Sequence, residues 1–271
     1  IRKFPERNFT VADLVRFGTL TEDIADFLRA AIESRLNCIV SGGTGCGKTT
    51  LLNVLSSFVP QNERIITVED SAELRLTQPH VLRLESRPAN IEGSGAISIR
   101  DLVKNTLRMR PDRIVVGECR DGAALDMLQA MCSGHNGALS VIHANSPQDV
   151  VSRIETMILT SGVDIPLWAI RKQIASSIDL IVHQEQLPDG LRKITHITEV
   201  REIRDADLIL QDLFSYEIQG FDNFKVTGIW KSFGVTPLFF EKFKRRGGLG
   251  CSANGRRNCL RYSNSKRRIF D

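Results

Sequence analysis

The sequence predicts an α/β fold with a mostly parallel sheet, helices on both faces and a small antiparallel C-terminal extension. Three observations predict it. Short apolar runs alternate with stretches of helical apolar spacing along most of the chain. Polar residues repeatedly follow those runs at their carboxyl ends. One such junction, Gly42-Gly43-Thr44-Gly45-Cys46-Gly47-Lys48-Thr49, matches the pattern G-x-x-x-x-G-K-[ST].

Thr21 is a candidate N-cap, and Ile24, Phe27, Leu28, Ala31 and Ile32 follow it at the spacing of an amphipathic helix. Cys38-Ile39-Val40 reads as the strand feeding the glycine loop, and the helix after it runs from Thr50 through Leu55 towards Pro60. Arg64–Val68 reads as a strand ending on Glu69 and Asp70, and Val81–Leu84 as another. Ser98 and Asp101 form a capping box for a helix carrying Leu102, Val103 and Leu107. Arg113–Gly117 is a buried-type strand ending at Glu118, followed by a helix from about Gly122 to Cys132. Ala138–Ile142 is a strand ending at His143, Pro147 opens a helix, a further helix starts near Pro166, and Leu180-Ile181-Val182 is one more strand. Beyond Leu191 the reading is short strands at Ile194–Val200, Leu208–Phe214 and Lys225–Trp230, then a helix near Pro237–Lys244.

The glycine loop has the chemistry of a phosphate cradle. Glycines let successive backbone N–H groups converge on phosphate oxygens. Residues Gly42, Gly43, Thr44, Gly45, Cys46, Gly47, Lys48, Thr49 and Thr50 are therefore the expected ATP-binding segment, with Lys48 bringing charge to the β- and γ-phosphates and Thr49 a hydroxyl to Mg²⁺. In a parallel sheet, ligands sit at the carboxyl ends of the strands, where Glu69, Glu118 and His143 also fall. Glu118 stands where such proteins place the acid that handles Mg²⁺ or water, although Gly117 precedes it instead of the usual aspartate. The crowded carboxylates Glu69, Asp70 and Glu73 call for a compensating cation, which Mg²⁺ supplies. His135 and His143 are candidate γ-phosphate sensors, and Arg120, with Arg108, Arg110 and Arg113 nearby, a candidate for stabilising transition-state charge within the subunit or across an interface.

Bulk properties bound the rest. No apolar run approaches the roughly 20 residues of a membrane span. The six cysteines, Cys38, Cys46, Cys119, Cys132, Cys251 and Cys259, have neither C-x-x-C nor zinc spacing, as expected for a reducing cytoplasm. Residues 241–271 carry ten Lys/Arg against two acidic residues, a net +8 in a chain of +4, so residues 1–240 sum to −4. The core is thus not read as a nucleic-acid-binding face. The reading divides the chain into the end of a preceding unit at 1–19, a main domain at 20–200, an extension at 201–246 and a basic, disordered tail at 247–271. The opening at Ile1 reads as that of a fragment without its own N-terminus.

Six segments together resemble the secretion ATPase family of type II and type IV machines, and most closely its CpaF branch, which drives tight-adherence (Tad) pilus assembly. They are GGTGCGKTT (42–50), ITVEDSAELRL (66–76), PHVLRLESRPANIEG (79–93), LRMRPDRIVVGECR (107–120), LDMLQAMCSGHNGALSVIHANSPQDVVSRIETM (125–157) and IRKQIASSIDLIV (170–182). In family terms they cover the Walker A motif, Asp box, Walker B motif and His box. The resemblance implies a RecA-like P-loop ATPase domain acting as a homo-hexamer, peripheral at the cytoplasmic face of an inner membrane, on a membrane platform protein. It implies that Glu69 and Glu118 share general-base and Mg²⁺ duties. Glu69 is favoured to orient water and Glu118, with Thr49 and Asp70, to hold metal, but the two roles remain exchangeable. Cys46, Cys119 and Cys132 depart from the family's usual residues without removing a charged group, and the family's N-terminal domain is missing. Two other readings stand beside the motor: a RecA-like DNA-handling ATPase, and a nucleotide-binding scaffold without turnover. No N-K-x-D segment for guanine selection is present.

Overall fold

The computed structural model describes residues 8–205, 207–222 and 225–242. Nine strands form one sheet in the order β3-β2-β4-β5-β1-β6-β7-β8-β9. They are β1 (Cys38–Gly42), β2 (Ile65–Glu69), β3 (Val81–Glu85), β4 (Arg113–Val116), β5 (Leu139–His143), β6 (Leu180–Gln186), β7 (Arg192–Arg204), β8 (Asp207–Asp222) and β9 (Lys225–Ser232). Strands β3 through β6 in that spatial order are parallel, and β6 to β9 are antiparallel. The predicted α/β class holds. The strands beyond Leu191 continue the same sheet as the expected antiparallel extension, and are longer than expected because they pair along their lengths.

Seven helices are described: α1 (Val11–Arg16), α2 (Glu22–Glu33), α3 (Lys48–Ser56), α4 (Ile99–Thr106), α5 (Ala123–Cys132), α6 (Pro147–Leu159) and α7 (Leu167–Ser177). Thr21 caps α2 by accepting from the Ile24 N–H, and Ser98 with Asp101 forms the expected capping box on α4. α1, in the segment read as the end of a preceding unit, has its own capping box from Thr10 and Asp13 and puts Leu14 into the main core. Of the expected helix at Pro237–Lys244, residues 240–242 are helical and 243–244 lie outside the described residues, as does the expected tail at 247–271.

The period-2 alternation of β1 decides how the layers pack. Cys38 and Val40 face a core built with Leu28 and Ile32 of α2 and Leu51 and Leu55 of α3. Ile39 faces the opposite core, with Leu128 of α5, Ile154 of α6 and Ile174 of α7. Both faces of the parallel strands are therefore covered, which is why β1, β2 and β4 are buried along their full lengths. Parallel strands that start together also end together. The register Gly42↔His143 brings the glycine loop and the end of β5 to one edge.

Candidate nucleotide site

The loop after β1 enters α3 through Gly47, which has φ +97° and gives the helix no side-chain cap. The first N–H groups of α3 therefore point outward without side-chain partners, an arrangement suited to an anion. A Cβ on Gly43 or Gly45 would meet nothing within 4 Å, so packing does not demand glycine there, although φ +77° at Gly45 favours it. Gly42 and Gly47 are constrained by the protein itself. A Cβ on Gly42 would lie 2.0 Å from the Gln184 carbonyl oxygen, and one on Gly47 would lie 3.0 Å from both Arg192 Cδ and Gln184 Nε2. The Cys46 side chain is buried, and burial pushes its thiol pKa up, so it serves the loop through its backbone.

Lys48 is 6% exposed, and its Nζ donates to Gly43 O at 2.6 Å and lies 3.2 Å from His143 Nδ1. Burial lowers the Lys48 pKa below its ordinary value, with Cys46 and Glu118 pulling the other way. His143 Nε2 in turn stands 3.2 Å from Glu118 Oε1. Burial and the Lys48 charge lower the His143 pKa in spite of Glu118. The contact is then a hydrogen bond from a neutral imidazole, with Nδ1 accepting from Lys48 and Nε2–H donating to Glu118. Burial alone would raise Glu118, but the Arg120 hydrogen bond at 2.7 Å, His143 and Lys48 outweigh it, and its carboxyl is held below the usual range. Arg120 also reaches to 3.8 Å from Asp70, which accepts a hydrogen bond from Ser86 at 2.8 Å. Beside Arg120 and Asp70 opens a cleft of about 740 Å³, lined also by Arg87, Arg100 and Gly122.

Glu69 ends β2 and is 3% exposed. Its Oε1 accepts from the backbone N–H groups of Glu73 and Leu74, at 3.0 and 2.9 Å. Its Oε2 is buried with no hydrogen-bond partner. Burial raises its pKa despite those two donors. Glu69 is thus pinned on one oxygen and, among the described residues, without a hydrogen-bond partner on the other. Thr49, half-buried in the first turn of α3, and Glu118 make a donor set of one hydroxyl and one carboxylate. That suits Mg²⁺, which keeps several waters and takes phosphate oxygens rather than a cage of side chains.

The structure thus gathers Lys48, Glu69, Glu118, Arg120 and His143 at the carboxyl edge of the sheet, as their places after strands predicted. It does not bring His135 there. His135 precedes β5 and contacts Ser133 at 3.2 Å, so the strand's own length of roughly 13 Å separates it from His143 within this chain. Nearness in sequence does not bring the two histidines to one edge, because a turn at 136–137 and then β5 intervene. Sequence reasoning missed Gln184 and Arg192, which contact the glycine loop from β6 and β7, and Ser41, whose hydroxyl pairs with the buried His183 at 2.8 Å. Their partners lie at least 138 residues away in sequence, and no local pattern marks them.

The model of the family described as "Type II/IV secretion system protein" matches residues 1–211. This chain belongs to that family. Its relatives include a putative conjugal transfer protein of Mycobacterium tuberculosis, 39% identical over 192 residues, which are 71% of this chain and 54% of that protein. The probable conjugal transfer protein TrbB of Sinorhizobium fredii is 37% identical over 209 residues, 76% of this chain and 61% of that one. The type IV secretion system protein PtlH of Bordetella pertussis is 41% identical over 166 residues, 59% of this chain and 48% of its own length. The chain therefore spans about half to three-fifths of the length of these three relatives. Among solved structures, the VirB11 ATPase of the Brucella suis type IV secretion system superposes with TM-score 0.59 at 29% identity, over 73% of this chain and 65% of that one. The pilus retraction motor PilT shares the fold at TM-score 0.54 and 23% identity, over 78% and 55% of the two chains.

Proposed function

We propose that this chain is the ATP-hydrolysing core of a type II/IV secretion motor. The observation that carries the reading is Glu69: a buried carboxylate with one bare oxygen and a raised pKa, on the same edge as the phosphate loop and the Lys48–His143–Glu118–Arg120 chain of contacts. In the proposed reaction the loop N–H groups and Lys48 bind the phosphates of ATP. Glu69 Oε2 accepts the proton of the attacking water as its oxygen bonds to the γ-phosphorus and the bond to ADP breaks. Lys48 and Arg120 offset the charge on the phosphoryl oxygens. His143 holds Lys48 and Glu118 in a fixed relation. Thr49, Glu118 and Asp70 would hold Mg²⁺, which would neutralise phosphate charge when bound.

The wider proposal is a homo-hexamer at the cytoplasmic face of an inner membrane, acting on a platform protein of the machine. Among the described residues no helix is long and apolar enough to cross a membrane, so attachment through partners is the expected mode. The narrower reading, Tad pilus assembly of the CpaF type, rests on the sequence resemblance. The named relatives, conjugal transfer and type IV secretion proteins, support the broader class of substrate-moving motors.

Mg²⁺-dependent phosphate release by the full-length gene product, with particle mass measured alongside, tests the reading. Turnover by hexamers that disappears in Glu69→Gln is the expected result. Turnover at the parent rate in both Lys48→Ala and Glu69→Gln would sink it. Tight nucleotide binding without turnover in assembled rings would instead favour the scaffold.

A further inference from the structure

We propose that Gln184 and Arg192, on the β6–β7 hairpin, are positioning residues that hold the phosphate loop in its binding shape and make nucleotide affinity depend on the antiparallel wing. The inference rests on the nucleotide-site reading above and adds residues outside its motifs. Gln184 Nε2 donates to Cys46 O at 2.6 Å, and Arg192 Nε donates to Gly45 O at 3.1 Å. These two carbonyls belong to consecutive peptide units of the loop. In a planar trans peptide the C=O and the following N–H point in opposite directions. Holding the carbonyls of Gly45 and Cys46 against the hairpin therefore turns the N–H groups of Cys46 and Gly47 the other way, into the loop's concavity. Donors aimed before a ligand arrives need no reorganisation when it binds.

The hairpin is built for this contact. The β6–β7 pairing shifts register between His183 and Gln184, where β7 carries the extra residue, Thr195, and such a bulge bends the ladder locally. Beside this shift the Gln184 carbonyl lies against Gly42, and its buried side-chain amide reaches Cys46 O. A Cβ at Gly47, where φ +97° already favours glycine, would crowd both clasping side chains at 3.0 Å. The turn between the strands is tied to the rest of the wing. Asp189 accepts from the Leu191 N–H at 3.0 Å and, with its other oxygen, from the Val226 N–H of β9 at 2.8 Å. A shift of β9 against β7 is thereby transmitted to Arg192, three residues beyond Asp189, and from there to Gly45.

The experiment measures binding of a fluorescent ADP analogue, and ATP turnover, in the full-length gene product and five variants: Gln184→Glu, Arg192→Ala, Arg192→Lys, Asp189→Ala and Lys48→Ala. Gln184→Glu keeps side-chain volume but sets a carboxylate oxygen against Cys46 O. We expect it and Arg192→Ala to weaken nucleotide binding and raise KM by about tenfold or more, with kcat within about threefold of the parent. Arg192→Lys, which can still donate one bond to Gly45 O, restores most of the affinity. Asp189→Ala gives a smaller loss in the same direction. If Lys48→Ala abolishes binding while Gln184→Glu and Arg192→Ala bind as the parent does, the clasp is wrong and the nucleotide site stands. If Lys48→Ala also binds normally, the nucleotide-site reading itself is wrong. A fall in thermal midpoint and in kcat together with binding, unrescued by Arg192→Lys, would reduce these residues to ordinary fold contacts and overturn the proposal.

Discussion

At the amino-terminal edge of the parallel strands, Arg113 is fully buried and well supplied with partners. It donates to Glu63 at 2.5 Å, to Gly137 O at 3.1 Å and to Ile32 O at 2.6 Å. Asn37, beside it, donates its side-chain amide to Ser177 O and accepts from the N–H groups of Gly137 and Ala138. At the carboxyl edge, Glu69 is nearly as buried but leaves Oε2 bare, and Gln184 leaves Oε1 bare. A buried polar network whose members are satisfied fixes a structure. A buried acceptor without a donor carries a desolvation cost of about 1–3 kcal/mol, and that cost is informative where other features already point to a ligand. Arg113 and Asn37 thus close the amino-terminal edge, whereas Glu69 keeps one buried oxygen without a donor at the carboxyl edge.

The division can be broken by substitution, and the largest effect belongs to the closed edge. Arg113→Ala removes the buried partner of Glu63 Oε2, with Arg35 still on Oε1, and takes a donor from the Gly137 and Ile32 carbonyls, so stability should fall by about 3 kcal/mol in urea unfolding. Turnover per folded molecule should stay near the parent value, and a selective loss of turnover would break the comparison. Lys48→Ala should do the opposite. Hydrolysis falls by about a thousandfold, near 4 kcal/mol of barrier, while the thermal midpoint without nucleotide moves by less than about 2 °C.

Glu69→Gln sharpens the comparison, because stability and function should move in opposite directions. Burial raises the folded-state pKa of Glu69, so the folded chain holds that proton more tightly than the unfolded one. Stability is therefore lost as pH rises from below the unfolded value through the folded one, and the full cost stands at neutral pH. Gln keeps an acceptor for Glu73 and Leu74 without the buried charge. We expect a midpoint higher by about 1–3 °C at pH 7, no gain well below pH 4, and turnover lower by about a hundredfold. A lower midpoint at neutral pH would mean that the bare oxygen is structurally required. The smallest effect is at Glu118, whose folded pKa is held low. Its stabilisation is present above the unfolded pKa and lost as pH falls through the folded one, so Glu118→Gln should remove less than about 1 kcal/mol at pH 7 and flatten stability on the acid side. A large loss in pH-dependent melting would place Glu118 with the structural ion pairs.

What the sequence determined by itself was local. The glycine pattern, the strand before it and the helix after it name the phosphate loop, because loop curvature and donor spacing are properties of neighbouring residues. Parallel order then carries Glu69, Glu118 and His143 to the same edge, since strands that run together expose their ends together. Tertiary structure alone decided the rest. It placed His135 at the far end of β5, satisfied Arg113 with a carboxylate 50 residues away, and brought Gln184 and Arg192 onto the loop from 138 and 147 residues along the chain. Which oxygen of Glu69 stays bare depends on the backbone after β2 folding back to donate two N–H groups to the other. Such contacts depend on which strands lie side by side and in what register. Residue spacing along one strand carries no record of its neighbour, so those partners became visible only in the folded sheet.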